Sequence, residues 1–113
     1  MHLKNFSLIE TVPGSSQYVL SPAYDLLPVN LVMPEDTEET ALTLNGKKRN
    51  LRRKDFYAFA ESAGIRKNAA ERMMDRILGK QENFEIAVKE SELPESMKES
   101  FMELIRERVQ RLL

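Results

Sequence analysis

The stretch Pro94-Glu95-Ser96-Met97-Lys98-Glu99-Ser100-Phe101-Met102-Glu103-Leu104-Ile105-Arg106-Glu107-Arg108-Val109-Gln110-Arg111-Leu112 is the most periodic part of the chain. Its apolar residues Met97, Phe101, Leu104, Ile105, Val109 and Leu112 fall at spacings of 4, 3, 1, 4 and 3. That rhythm draws one stripe along an α-helix and leaves the charged residues on the other faces. Pro94 suits the opening of such a helix, where a fixed φ costs nothing and a missing N–H is not needed.

Working back from that helix, the same period continues to about Arg53. Phe56, Phe59, Ala60 and Ala63 share a face, and Gly64 stands where a left-handed C-terminal cap is wanted. Asn68 is placed to cap a second helix carrying Ala70, Met73, Met74, Ile77 and Leu78, broken near Gly79. Phe84, Ala87 and Val88 continue an amphipathic segment. The Met73, Met74, Ile77, Leu78 cluster and the final stripe, Phe101 included, are expected in the core.

The first half reads differently, and it holds all five prolines except Pro94. Phe6-Ser7-Leu8-Ile9-Glu10-Thr11-Val12 alternates apolar with polar, Pro13-Gly14-Ser15-Ser16 is a turn cluster, and Tyr18-Val19-Leu20 returns. This pattern predicts a β-hairpin. Ser21 to Pro28 is expected to be irregular, because each proline restricts the residue before it. Residues 35–39 form an acidic loop, and Ala41-Leu42-Thr43-Leu44 followed by Asn45-Gly46 predicts a second short hairpin with Lys48 to Leu51 returning. The expected fold is α+β and mostly α, a single domain over residues 1–113. Residues 1–52 form a β-rich segment and 53–113 a helical bundle.

Composition removes several classes of function. The chain has 113 residues, with 17 Lys and Arg against 18 Asp and Glu, so it lacks the overall positive charge of a general nucleic-acid binder. Zero Cys excludes disulfides, thiolate catalysis and thiolate metal sites within these residues, and fits a reducing cytoplasm. A single His, His2, leaves no His-based metal cluster and no Ser–His relay away from the N-terminal residues. No apolar run approaches the roughly 18–20 residues that cross a bilayer, and residues 1–5 have no apolar core of a secretory signal.

Two places remain for chemistry. His2-Leu3-Lys4-Asn5-Phe6-Ser7 feeds into the first strand, and Tyr24-Asp25 follows the returning one. A hairpin between them brings Asn5 and Asp25 toward its open end. There an amide oxygen and a carboxylate make a hard-oxygen pair suited to magnesium. From spacing alone the commoner reading is that Asn5 caps a loop and Asp25 a turn.

His2-Leu3-Lys4-Asn5-Phe6-Ser7, a hairpin, then Leu20-Ser21-Pro22-Ala23-Tyr24-Asp25-Leu26-Leu27 resembles the catalytic and metal-binding core of HipA-type serine/threonine kinases. These are the toxin halves of bacterial HipA/HipB toxin–antitoxin pairs. Their catalytic loop resembles Asp-x-His-x-Lys-Asn-Phe-Ser, and a Tyr-Asp or similar dipeptide takes the part of the kinase metal ligand. Ala41 to Lys48 is similar to the family's short hairpin before its C-terminal helices. The resemblance implies that Asn5 and Asp25 hold magnesium on ATP, that Lys4 presents a cation to the transferring phosphoryl group, and that His2 anchors the loop. It also implies a cytoplasmic location, a protein substrate and a HipB-like antitoxin as partner.

The pattern is incomplete in these residues. The family's catalytic Asp falls immediately before Met1, and its phosphate-covering loop, nucleotide-positioning Lys and N-terminal lobe belong before that. The expectation is therefore a C-terminal portion of a HipA-like kinase that is inactive alone and binds neither magnesium nor ATP by itself. Its natural complement is the N-terminal kinase lobe, and its uncovered apolar surface favours self-association. The alternative is a non-enzymatic helical interaction domain that binds an antitoxin-like protein. A basic run, Lys47, Lys48, Arg49, Arg52, Arg53 and Lys54, puts six cations into eight residues. It reads first as a solvated turn and helix start, offset by the acidic loop, and second as a nucleic-acid contact.

Overall fold

A computed structural model describes residues 6–22 and 28–113. It is α+β and mostly α: an antiparallel hairpin followed by helices. Strand β1 (Leu8–Glu10) pairs with β2 (Tyr18–Leu20) in the register Leu8↔Leu20, Ile9↔Val19 and Glu10↔Tyr18. The turn between them closes through Thr11 N–H on the Gln17 carbonyl at 2.9 Å, and Ser16 N–H caps the Glu10 carboxylate at 2.9 Å. Both strands are open to solvent, with Leu8 69% and Leu20 65% exposed. The hairpin was legible in the sequence, but its apolar residues do not enter this domain's core.

The segment expected to be β-rich contains a short helix instead, α1 (Val29–Val32), directly after Pro28. Pro28 supplies the extended N-cap that lets the chain turn into it. The second hairpin shrinks to one bridge, Leu44↔Lys47, around Asn45 and Gly46, both at positive φ (52° and 73°). Asn-Gly makes the turn as expected. The returning strand does not form because the Lys48 carbonyl accepts from Glu39 N–H at 2.7 Å, so the acidic loop takes the place of a partner strand.

Helix α2 (Arg53–Ser62) begins at N-cap Arg52, and Asp55 reaches back to accept the Arg52 N–H at 2.8 Å. It ends at Gly64, whose φ of +76° and N–H on Glu61, with Ile65 N–H on Ala60, complete a Schellman cap. Helix α3 (Lys67–Leu78) starts after Arg66, so Asn68 lies inside its first turn and is not its cap. Helix α4 (Gln81–Glu90) follows the Gly79-Lys80 break, and α5 (Glu95–Leu112) has Pro94 as its N-cap. Helix α2 packs on α3, and α5 packs on α4 and α1.

Among the described residues the buried apolar ones are Leu51, Ala60, Ala70, Leu78 and Val88. On α2 and α3 the apolar residues at Phe59-Ala60, Met73-Met74 and Ile77-Leu78 stand in neighbouring pairs, and packing takes the second of each. On α3 the inward line is Ala70, Met74 and Leu78, so Met73 and Ile77 turn outward at 55% and 58% exposure. On α2, Phe56 and Ala60 turn in while Phe59 turns out, as does Ala63 at the C-cap. The core placement expected for Met73 and Ile77 is therefore corrected. The α5 stripe, Phe101 included, is half-buried along its length with no fully buried residue. Among the described residues, no helix is long and apolar enough to cross a membrane.

Candidate functional site

The open end of the hairpin is closed by two serines. Ser21 N–H donates to the Ser7 carbonyl at 2.7 Å, and Ser7 N–H donates to Ser21 Oγ at 2.9 Å. Ser21 Oγ in turn donates to the Pro22 carbonyl at 3.0 Å. Ser21 is 8% exposed in a hairpin that is otherwise open, so its hydroxyl is a structural clasp. It fixes the end of β1's approach segment against the exit of β2. Sequence reasoning did not single out Ser21 as a clasp.

The residues expected to carry chemistry flank that clasp in the chain. Asn5 stands two residues before Ser7, and Asp25 four after Ser21. His2, Lys4, Asn5, Tyr24 and Asp25 all lie outside the described residues. Within the described residues no group of three or more His, Cys, Asp or Glu is placed to hold a metal ion.

Two acidic centres do organise the described fold, and neither was picked out from the sequence. Asp55, 1% exposed, accepts from Asn45 Nδ2 at 2.9 Å, Lys47 Nζ at 2.8 Å and Arg52 N–H at 2.8 Å. The Lys47 ammonium, then the Arg52 amide and the Asn45 side chain, hold this carboxyl far below its ordinary range. The Asn-Gly turn is thereby bolted to the start of α2. Its position three residues beyond the N-cap was the available signal.

Glu39 ties the acidic loop to the C-terminal helix. Its carboxylate accepts from Asn50 N–H at 2.8 Å, Leu51 N–H at 3.2 Å, Arg108 Nη1 at 3.1 Å and Arg111 Nη1. Burial pushes its pKa up, but Arg111, the two amides and Arg108 together hold it below the ordinary value. Its arginine partners lie 69 and 72 residues away, so no local pattern announces the contact.

The basic run is divided by these contacts. Lys47 is committed to Asp55, Lys48 lies 3.6 Å from Glu38, and Arg53 pairs with Asp75 at 2.5 Å while donating to Tyr57 Oη. Arg49, Arg52 and Lys54 make no ion pair among the described residues. The acidic loop thus meets a cation of the run only at Glu38–Lys48 among the described residues, while the Glu39 carboxylate is taken by Arg108 and Arg111.

No curated protein matches the chain. The model of the HipA-like C-terminal domain matches residues 1–84, from the Asn5 segment through the hairpin, the Asn-Gly turn and α2–α3 into α4. With that share of its 113 residues matched, this chain belongs to the HipA-like C-terminal domain family.

Proposed function

We propose that the chain is the metal-holding portion of a HipA-like protein serine/threonine kinase, which moves the γ-phosphoryl group of ATP to a protein hydroxyl in a bacterial toxin–antitoxin pair. One observation carries the reading beyond the family match: the Ser7–Ser21 clasp. It joins the two strand ends from which the Asn5 and Asp25 segments continue in sequence. The donor set fits magnesium, because an amide oxygen and a carboxylate are hard ligands that satisfy part of an octahedral shell and leave the rest to phosphate and water.

When bound, magnesium neutralises charge on the nucleotide phosphates, which is most of what phosphoryl transfer asks of its catalyst. Asn5 and Asp25 would hold it, Lys4 would direct a cation at the transferring group, and His2 would steady the loop. The apolar hairpin surface, with Leu8, Ile9, Val19 and Leu20 exposed, supports closure of a nucleotide-binding lobe over this end. The family's catalytic Asp is not among these 113 residues, so the isolated chain is expected to transfer no phosphate.

The test is transfer of radiolabelled phosphate from ATP by the protein expressed from its complete natural reading frame. Transfer abolished by Asn5→Ala and by Asp25→Ala supports the proposal, and transfer that persists in Asp25→Ala overturns it.

A second reading is favoured by the outward apolar residues of the helices, Phe59 at 53%, Ile77 at 58% and Phe84 at 45% exposure. Under it the helices bind an antitoxin-like protein or a second copy, and the metal segment is ancestral. Magnesium-dependent nucleotide binding by the complete protein separates the two, since only the first reading requires it.

A further inference from the structure

Three of the chain's unpaired cations converge on one cleft. Between α2 and the start of α3 lies a space of about 650 Å³ lined by Lys54, Tyr57, Ala58, Glu61, Ile65, Arg66 and their neighbour Lys67. Lys54, Arg66 and Lys67 make no ion pair or hydrogen bond through their side chains among the described residues. Lys47, Arg53, Arg106, Arg108 and Arg111 are committed to carboxylates, whereas Lys54, Arg66 and Lys67 are unpaired and line one cleft together.

The remaining lining is of a different chemistry. Ala58 and Ile65 give it an aliphatic floor, half-buried rather than open. Tyr57 is held in place by Arg53, whose Nε donates to the phenol oxygen and whose guanidinium lies 5.5 Å from the ring centroid. With that oxygen accepting from Arg53, its own O–H remains available as a donor. Arg53 is itself fixed by Asp75 on α3, so the tyrosine is preset rather than recruited.

We propose that this cleft binds an acidic peptide segment of a partner protein, with an aliphatic side chain set on Ala58 and Ile65 between carboxylates that meet Lys54, Arg66, Lys67 and the Tyr57 hydroxyl. Charge complementarity selects an acidic partner. Glu61 in the lining favours a peptide over a nucleic-acid strand: a carboxylate accepts a peptide N–H but repels a continuous line of phosphates. The inference is independent of the kinase reading, because no residue of the metal segment takes part.

Fluorescence anisotropy of the 113-residue chain tests it, using a short fluorescein-labelled peptide in which Glu alternates with Leu. Its Gln-for-Glu counterpart and a labelled oligothymidine serve as comparison probes. The Glu–Leu peptide is expected to bind, to weaken as salt rises, and to lose affinity by about tenfold or more in Lys54→Glu/Lys67→Glu. Tyr57→Phe, which keeps the ring, is expected to lose a smaller, several-fold share. Arg72→Glu, on an exposed part of α3 outside the cleft, should leave binding unchanged while matching the thermal midpoint of the other variants. Equal affinity for the Gln peptide, tighter binding of oligothymidine, absence of binding, or indifference to the double substitution would each overturn the proposal.

Discussion

Replacing Glu39 by Gln removes one charge while keeping the side chain's shape, and the structure sets the cost. The carboxylate takes Asn50 N–H, Arg108 and Arg111 on Oε1 and Leu51 N–H on Oε2. A Gln amide oxygen can serve the first set, but its NH₂ then faces the Leu51 N–H, and that amide loses its acceptor, worth about 1 kcal/mol. The Arg108 and Arg111 side chains are 29% and 19% exposed, so each lost charge interaction is worth about 0.5–1 kcal/mol after solvent screening. Both arginines keep Glu107 as a second partner, which trims the loss. The sum is about 2 kcal/mol, or a fall in Tm of roughly 8 °C for a chain of this size.

Urea denaturation followed by far-ultraviolet circular dichroism should show the midpoint falling with an unchanged slope. The pH dependence follows with a definite sign. Glu39 has a lowered pKa in the folded chain, so its contribution is present above the ordinary value of 4.5 and is lost as pH falls through the folded value. The gap between native and Glu39→Gln chains should therefore close on acidification. A loss below about 0.5 kcal/mol at neutral pH, or a gap that is constant with pH, would show that Glu39 does not fasten the C-terminal helix.

Three further outcomes are expected. Leu51→Ala removes three buried carbons from a residue 4% exposed, about 2.4 kcal/mol of transfer plus a cavity, so about 3 kcal/mol in all; a urea-derived loss below about 1 kcal/mol would misplace the core. The neighbours on α3 should separate cleanly, Ile77→Ala costing under about 0.5 kcal/mol and Leu78→Ala about 2–4 kcal/mol, and equal costs would refute the inward line through Ala70, Met74 and Leu78. Asp55→Asn should accelerate amide hydrogen exchange at Lys47 and Arg52, and unchanged protection there would mean that the carboxylate does not hold the turn.

Local rules carried much of this chain. Period-two alternation and Pro13-Gly14 placed the hairpin, Asn45-Gly46 placed a tight turn, and Gly64 and Pro94 marked helix ends, because each is decided by backbone torsions over a few residues. The family was legible for the same reason: the residue types and order around Asn5 and Asp25 that carry the resemblance are local, and the family match over residues 1–84 covers both segments. Helix α1 and the backbone pairing of the acidic loop with Lys48 escaped, since four residues after Pro28 carry no period and that pairing depends on the chain folding back.

What tertiary structure alone decided is which member of the apolar pairs on α2 and α3 is buried. Met73 and Met74, or Ile77 and Leu78, satisfy the helical period equally, and a rotation of about one residue exchanges them. The choice belongs to the surface against which the helix packs, as do the long-range grip of Glu39 on Arg108 and Arg111 and the convergence of Lys54, Arg66 and Lys67 on one cleft. Sequence determines what each segment can become by itself, whereas burial and charge pairing between distant segments exist only once the chain is assembled.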